Sequence, residues 1–441
     1  MTTTEQAPTQ LPPGPPIPVA VQTALFMSGA LWYVPAMHRK YGDVFTLRCA
    51  PRDQRLVFIN RREHLKEVFS GDPHVFHAGE GNELLRTVMG QHSVLLVDDE
   101  THLRARKLLM PAFHGAALRS YEGLVGTLAK SEVDSWQPGE TLVSLNRMNA
   151  LTLEIIMQVV FGVTDEHRLA QLRPVVNNTV NIGAITLLSW AYPRLQAFGP
   201  WRSYMANQQR FDELLYAEIA DRRQARDLDH RDDVLSRLLL VGAGEDAAHE
   251  PLSDAELRDQ LVTLLLAGHE TTASALSWTL YELGQNPDAQ ERAQRAADEG
   301  DQKYLEAVLK EAMRVHPVID QVRRVLKADA TVAGYRLPAG TTVVPSVRFA
   351  HDSTVNYPDP ETFRPERFTD GEVASNTWLP FGGGVRRCLG AGFSLMEGTI
   401  ILREVMQRYA VRPDPQSKER ETIRNITTVP RRKARVVLVA R

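Results

Sequence analysis

The hydrophobic positions change period several times along these 441 residues, and each change marks a different element. Residues 19–34 are an apolar stretch interrupted by Gln22, Thr23 and Ser28 and closed by Pro35. They predict a short helix packed on the body, too short and too broken to span a bilayer. The leader before it, residues 1–18, ends in a Pro-rich run that is stiff and extended. Residues 45–47 and 56–59 are short β-like runs about a turn at 51–53, the pattern of a hairpin. From about residue 100 to 300 the spacing is helical, with polar breaks at 137–139 and 227–233. Residues 331–347 return to short strands, with Gly334, Pro338 and Gly340 as turns. Residues 351–380 have little periodicity, and such long irregular loops usually serve function. A last helix is predicted over 389–409, followed by weak strand signals. The sum is mainly α with a minor β part (α+β) drawn from both ends. No repeat or linker divides it, so residues 1–441 are expected to form one domain.

Composition narrows the function without choosing it. The chain is 43% hydrophobic and 24% charged, which excludes wholesale disorder and fibrous architectures. A formal charge of -3 gives no electrostatic footprint for nucleic acid. Two cysteines, Cys49 and Cys388, cannot build a disulfide framework and fit a reducing compartment. Residues 1–10 hold no Lys or Arg, so the basic start of a signal peptide is missing. A cytoplasmic protein without an integral membrane anchor is expected, with Cys49 a packing residue near a strand.

Two segments break local rules. Ser253 and Glu256 form a capping box that opens a helix running to about Gln285, stopped by Asn286-Pro287. It is apolar nearly all round, the signature of a buried helix. Yet its middle holds Gly268, Glu270, Thr271 and Thr272. A glycine costs about 1 kcal/mol there, and a buried unpaired acid several more. Violations of this kind usually mark function, although Gly268 could simply permit close helix packing and Glu270 could meet a polar neighbour. The second segment is residues 381–390, where Gly382, Gly383 and Gly384 precede Arg386, Arg387 and Cys388 just before a predicted helix. The glycines allow close backbone approach, and the helix start and the two arginines favour thiolate over thiol.

Phe381, Gly384, Arg386, Cys388 and Gly390 occupy every fixed position of Phe-x-x-Gly-x-Arg-x-Cys-x-Gly. This resembles the haem-binding signature of the cytochrome P450 superfamily. Ala267-Gly-His-Glu-Thr-Thr272 is similar to that family's oxygen-activation motif, Glu311-Ala-Met-Arg314 to its Glu-x-x-Arg pair, and the Pro365–Phe368 segment to the one whose arginine, here Arg367, joins that pair. The resemblance extends over the whole chain, including the helix around residues 102–106, and is closest in kind to soluble bacterial members.

The resemblance implies a triangular helical domain enclosing haem b between the long central helix and the cysteine loop. Cys388 would be the axial iron ligand, and Phe381 and Gly268 would lie against the cofactor. His102, Arg106, Arg324 and Arg386 would meet the haem propionates, with Arg323 competing with Arg324. For His102 and Arg106, spaced i and i+4, an ordinary solvated helix face is the plainer alternative. Thr271 and Glu270 would act as an alcohol–acid pair that holds water and delivers protons while O2 is activated. Glu311, Arg314 and Arg367 would form a buried network bracing the cysteine loop. The implied activity is insertion of one oxygen atom from O2 into a lipophilic molecule, such as a fatty acid, terpenoid or steroid. Electrons would come from NAD(P)H through a reductase and a ferredoxin or flavodoxin, with Arg387 on the surface where an acidic donor docks. A monomer is expected. Residues 77–96, 179–205, 318–322 and 425–429 are the expected pocket segments, the second rich in aromatics (Trp190, Tyr192, Phe198, Trp201). A peroxide-driven haem-thiolate hydroxylase is disfavoured by the Glu270–Thr271 pair. A haem sensor is disfavoured by the lack of an output domain, and zinc by the lack of a second ligand near Cys388.

Overall fold

Ser253 starts the helix that organises the fold. Its hydroxyl accepts from the Glu256 N–H at 3.3 Å, and Glu256 Oε2 accepts from the Ser253 N–H at 2.9 Å. The computed structural model describes residues 11–50, 53–163, 165–180, 194, 199–241, 250–371, 373–415 and 418–441. Within it the central helix runs Asp254–Gln285, 32 residues without interruption, and ends at Asn286 before Pro287. It is buried on most sides, packed against the Ser144–Phe161 and Gln302–Val315 helices. One stripe differs: Ala267 is exposed, and Leu264, Gly268 and Thr271 are half-buried. At 3.6 residues per turn these positions share one side of the helix.

The minor β part comes from both ends, as the periodicity predicts. Strands Val44–Cys49 and Gln54–Ile59 form the expected hairpin, with Phe45 opposite Phe58 and Leu47 opposite Leu56. The Phe45 and Phe58 rings stack at 4.9 Å. The second strand runs parallel to Thr342–Pro345, which pairs in turn with Arg324–Leu326. At the other end, Arg435–Ala440 lies between Tyr409–Pro413 and Thr141–Val143. That last strand sits inside the region read as helical, and is three residues long. The final helix spans Ala391–Arg408.

The amino-terminal helix corrects the sequence reading. It covers Val19–Tyr41, 23 residues, with Pro35 inside and a break in helical geometry at Gly29. Proline's fixed φ is already helical, so Pro35 removes one hydrogen bond and the helix continues through it. By length and composition the helix could cross a membrane. The Pro-rich leader is extended where described: Thr46 donates to the carbonyls of Pro12 and Pro13, and a Cβ on Gly14 would lie 2.1 Å from the Thr46 carbonyl oxygen.

Candidate active site at the cysteine loop

Residues 381–390 are folded by their own backbone. The Cys388 N–H donates to the Phe381 carbonyl at 2.9 Å, Gly382 N–H to Leu379, and Arg387 N–H to Gly384. Gly384 has φ +66°, and a Cβ there would lie 1.9 Å from the Phe69 carbonyl oxygen. Both facts demand glycine. Phe381 is half-buried, edge-on to Trp378 at 5.6 Å.

Cys388 keeps accessible surface although protein surrounds it closely. Burial pushes its thiol up, against the Gly390 N–H and the charges of Arg106 and Arg387. The expected thiolate therefore needs more than the loop supplies, because desolvation outweighs the nearby dipoles and cations. Metal coordination is what deprotonates a thiol outright. Arg386 is absent from the charges acting on the sulfur. It points away, paired with Asp98 and donating to the Val97 carbonyl at 2.8 Å and the Val94 carbonyl at 3.3 Å.

The structure brings together the four residues named as propionate partners, three arginines and a neutral histidine. Burial and the charges of Arg386, Arg106 and Arg324 lower His102 to about 3, with Asp98 opposing. Arg324 is lowered to about 10 by burial and by Arg386. Arg106 is lowered by burial, and its neighbours include Cys388. His102 is buried and Arg106 half-buried, so neither belongs to a solvated helix face. Arg323 faces elsewhere, toward Cys49 and Asp320. Cys49 itself is buried beside a strand end.

Asp98 is the carboxylate that the sequence reading missed. As N-cap of the Asp99–Leu109 helix it looks routine, yet it accepts from the N–H groups of Ala78, Gly79 and Glu80 as well as from Arg386. With His102 neutral, the charges of Arg106, Arg324 and Arg386 outnumber the Asp98 carboxylate that pairs with Arg386, an excess of positive charge that suits a dianionic ligand. Among the described residues no group of three or more His, Cys, Asp or Glu could hold a metal ion. Cys388 thus offers a single protein ligand, the donor set expected for an iron held mainly by a macrocycle.

On the central helix, Thr271 Oγ1 donates to the Ala267 carbonyl at 2.8 Å. Glu270 leaves the helix in another direction. Its carboxylate lies 3.2 Å from Arg424 Nε and accepts from Asn425 Nδ2 at 3.5 Å, both in the 421–430 hairpin. Burial raises its pKa and Arg424 opposes. The expected alcohol–acid pair is therefore not in direct contact, because consecutive helical residues project about 100° apart. For Gly268 the packing alternative has direct support. The helix is regular through it, and a Cβ there would lie 2.9 Å from Ile156 Cδ1, so close helix packing accounts for this glycine. Thr272 turns inward to Ser394 at 3.1 Å, tying the central helix to the helix that follows the cysteine loop.

The bracing network is present and larger than expected. Glu311 grips Arg314 through two bonds of 2.8 Å and lies 3.3 Å from Arg367 Nε, all three buried. His351 extends it. Its Nδ1 bonds the Arg314 carbonyl at 3.1 Å and its Nε2 accepts from the Leu379 N–H at 2.9 Å, three residues before Gly382. Burial and Arg314 lower His351 to about 3, so it is neutral, with the proton on Nδ1. Elsewhere the expected pocket segments meet in two pairs. Val88, Trp201 and Tyr204 cluster with Leu266 of the central helix, while the Thr428 N–H donates to the Val318 carbonyl at 2.7 Å. Trp190, Tyr192 and Phe198 lie outside the described residues.

The sequence model of the family described as Cytochrome P450 matches residues 12–437. The cytochrome P450 135A1 of Mycobacterium tuberculosis is 52% identical over 432 residues, covering 98% of this chain and 96% of that protein. The cytochrome P450 135B1 of Mycobacterium bovis is 41% identical over 432 residues, covering 97% and 91%. The solved structure of retinoic acid bound cyanobacterial CYP120A1 has a TM-score of 0.86 at 25% identity, covering 98% of this chain and 100% of that one. These likenesses run through the central helix, the bracing network and the cysteine loop alike, and the chain belongs to the cytochrome P450 family, the haem- and O2-dependent monooxygenases.

Proposed function

We propose that this protein is a one-domain monooxygenase that hydroxylates or epoxidises a lipophilic molecule of fatty-acid, terpenoid or steroid type, using haem b. The buried apolar cluster of Val88, Trp201 and Tyr204, with Leu266 of the central helix packed against it, supports the substrate reading. The retinoic acid bound by the cyanobacterial relative, an isoprenoid acid, supports it. Strands from both termini pair with interior strands, which supports a single domain.

Cys388 would hold the haem iron, and Arg106, Arg324, His102 and Arg386 the propionate side. The haem, when bound, supplies O2 activation, which thiolate ligation favours. Thr271 has its hydroxyl proton committed to Ala267, so its lone pairs remain to hold a water on the open side of the helix. Glu270, held near Arg424, can take protons from the hairpin side. Those protons reach Thr271 only through water or by rotation of the acid. Arg387 is exposed, which supports docking of an acidic ferredoxin or flavodoxin reduced from NAD(P)H.

Two measurements test this. The protein reduced under carbon monoxide should show the strongly red-shifted Soret band of a thiolate-bound haem, absent from Cys388→Ala. Titration with a long-chain fatty acid, a retinoid and a steroid should shift the Soret band for at least one of them. A response confined to hydrophilic compounds would refute the substrate class, and a histidine-type Soret would refute the ligation.

A further inference from the structure

The Val19–Tyr41 helix has an outer face that the monooxygenase reading does not use. No Asp, Glu, Lys or Arg occurs from Gln6 to His38. The inner side of the helix is fixed to the body. Tyr33 and Val34 pack with Phe45, Leu47 and Phe58, Gln22 accepts from the Arg48 N–H at 2.9 Å, and Thr23 accepts from the Ala50 N–H at 2.8 Å. The outer side is mostly apolar and open to solvent: Val21 is 45% exposed, Met27 78% and Trp32 57%, with Ala24 and Ser28 exposed between them. A Cβ at Gly29 would lie 2.0 Å from Trp32 Nε1, so the glycine makes room for that indole at the surface. Single exposed apolar side chains are ordinary, whereas a run along one helix face marks an interaction surface.

Three observations choose the occupant. Arg39 and Lys40 are exposed in the last turn, and neither forms an ion pair among the described residues. Arg39 follows Trp32 by seven residues, two turns along the same side. Trp beside basic residues is the composition of an interfacial helix, with the indole at headgroup depth and the cations on anionic lipid. A second copy of the chain would bring another Arg39–Lys40 pair and no counter-charge. The helix is long enough to cross a bilayer, but the bonds of Gln22 and Thr23 to residues 48–50 hold it against the sheet.

We propose that this helix seats the protein peripherally on an anionic bilayer surface, with Val21, Met27 and Trp32 entering the interface and Arg39 and Lys40 meeting the headgroups. The site is separate from the cysteine loop and stands without the substrate reading. The test is flotation of the full-length, haem-loaded protein with phosphatidylcholine vesicles containing or lacking phosphatidylglycerol. The wild type should float with the anionic vesicles. The M27D/W32D variant should partition at least about tenfold more weakly, with unchanged circular dichroism. The R39E/K40E variant should lose about tenfold on anionic vesicles only. Equal flotation of wild type and M27D/W32D would overturn the proposal, as would no flotation at all. A vesicle-free dimer that M27D/W32D dissociates, without vesicle binding, would also overturn it by making the face a self-association surface.

Discussion

Replacing Glu397 by Gln should flatten part of the protein's alkaline loss of stability. Glu397 lies on the Ala391–Arg408 helix, 1% exposed, and neither carboxyl oxygen has a hydrogen-bond partner at good geometry among the described residues. Burial raises it from 4.5 to about 8, with Thr272 partly opposing. A carboxyl whose folded value lies above its unfolded value keeps its proton longer when folded. Above pH 4.5 the unfolded chain releases that proton while the folded chain retains it, so stability falls until about pH 8, where the folded group ionises as well. The slope approaches about 1.4 kcal/mol per pH unit, and between pH 6 and 8 the loss sums to roughly 2 kcal/mol. Gln has nearly the same shape and does not titrate. Urea unfolding of both haem-loaded proteins, followed by circular dichroism at pH 6, 7 and 8, isolates this group because every other titration cancels in the difference. The wild type should lose roughly 2 kcal/mol relative to Glu397→Gln across that range. A difference flat to about 0.5 kcal/mol would refute the assignment of a buried, protonated acid at this position.

Three further outcomes follow from the site. Glu311→Ala leaves Arg314 and Arg367 buried without their carboxylate, and should cost about 3–5 kcal/mol in the same unfolding assay; a cost below about 1 kcal/mol would mean that the network does not brace the fold. Gly384→Ala places a Cβ on the Phe69 carbonyl at positive φ, so haem content after purification should fall sharply, and full loading would contradict the close approach. Thr271→Ala removes the hydroxyl fixed to Ala267 and should raise NAD(P)H consumed per product formed while leaving the carbon monoxide spectrum intact; tight coupling would deny Thr271 a part in proton delivery.

The features legible in the sequence are those whose residues lie close together in it. The capping box spans four residues, the Glu311–Arg314 pair one turn, and the cysteine loop ten, so local spacing shows each. Gly268 was legible as an anomaly, with close helix packing as its plainer reading, but its partner was not, because Ile156 stands in a different helix. Asp98 meets Arg386 across 288 positions, and Arg424 meets Glu270 across more than 150. No local rule pairs them. His351 was visible only as the first residue of the irregular loop, although its two ring nitrogens join Arg314 to Leu379. Glu397 did leave a signal, since it falls on the stripe of Phe393, Ile400 and Ile401 that the final helix buries.

The positions of these long-range contacts explain how one loop can be both glycine-rich and rigid. Three consecutive glycines have large conformational freedom, and fixing them costs entropy that the loop's own backbone bonds return only in part. The remainder must come from groups that cannot move. Leu379 is held by His351, His351 by Arg314, and Arg314 by Glu311, each of the last three buried. On the other side of the loop, Gly384 rests on the Phe69 carbonyl, and Arg386 is held by Asp98 and two carbonyls. The sulfur at Cys388 is therefore positioned by anchors at both ends of the turn, and neither anchor touches it. Loss of either should move the ligand before it unfolds the protein, which is why the bracing residues belong to the function although none of them carries out chemistry.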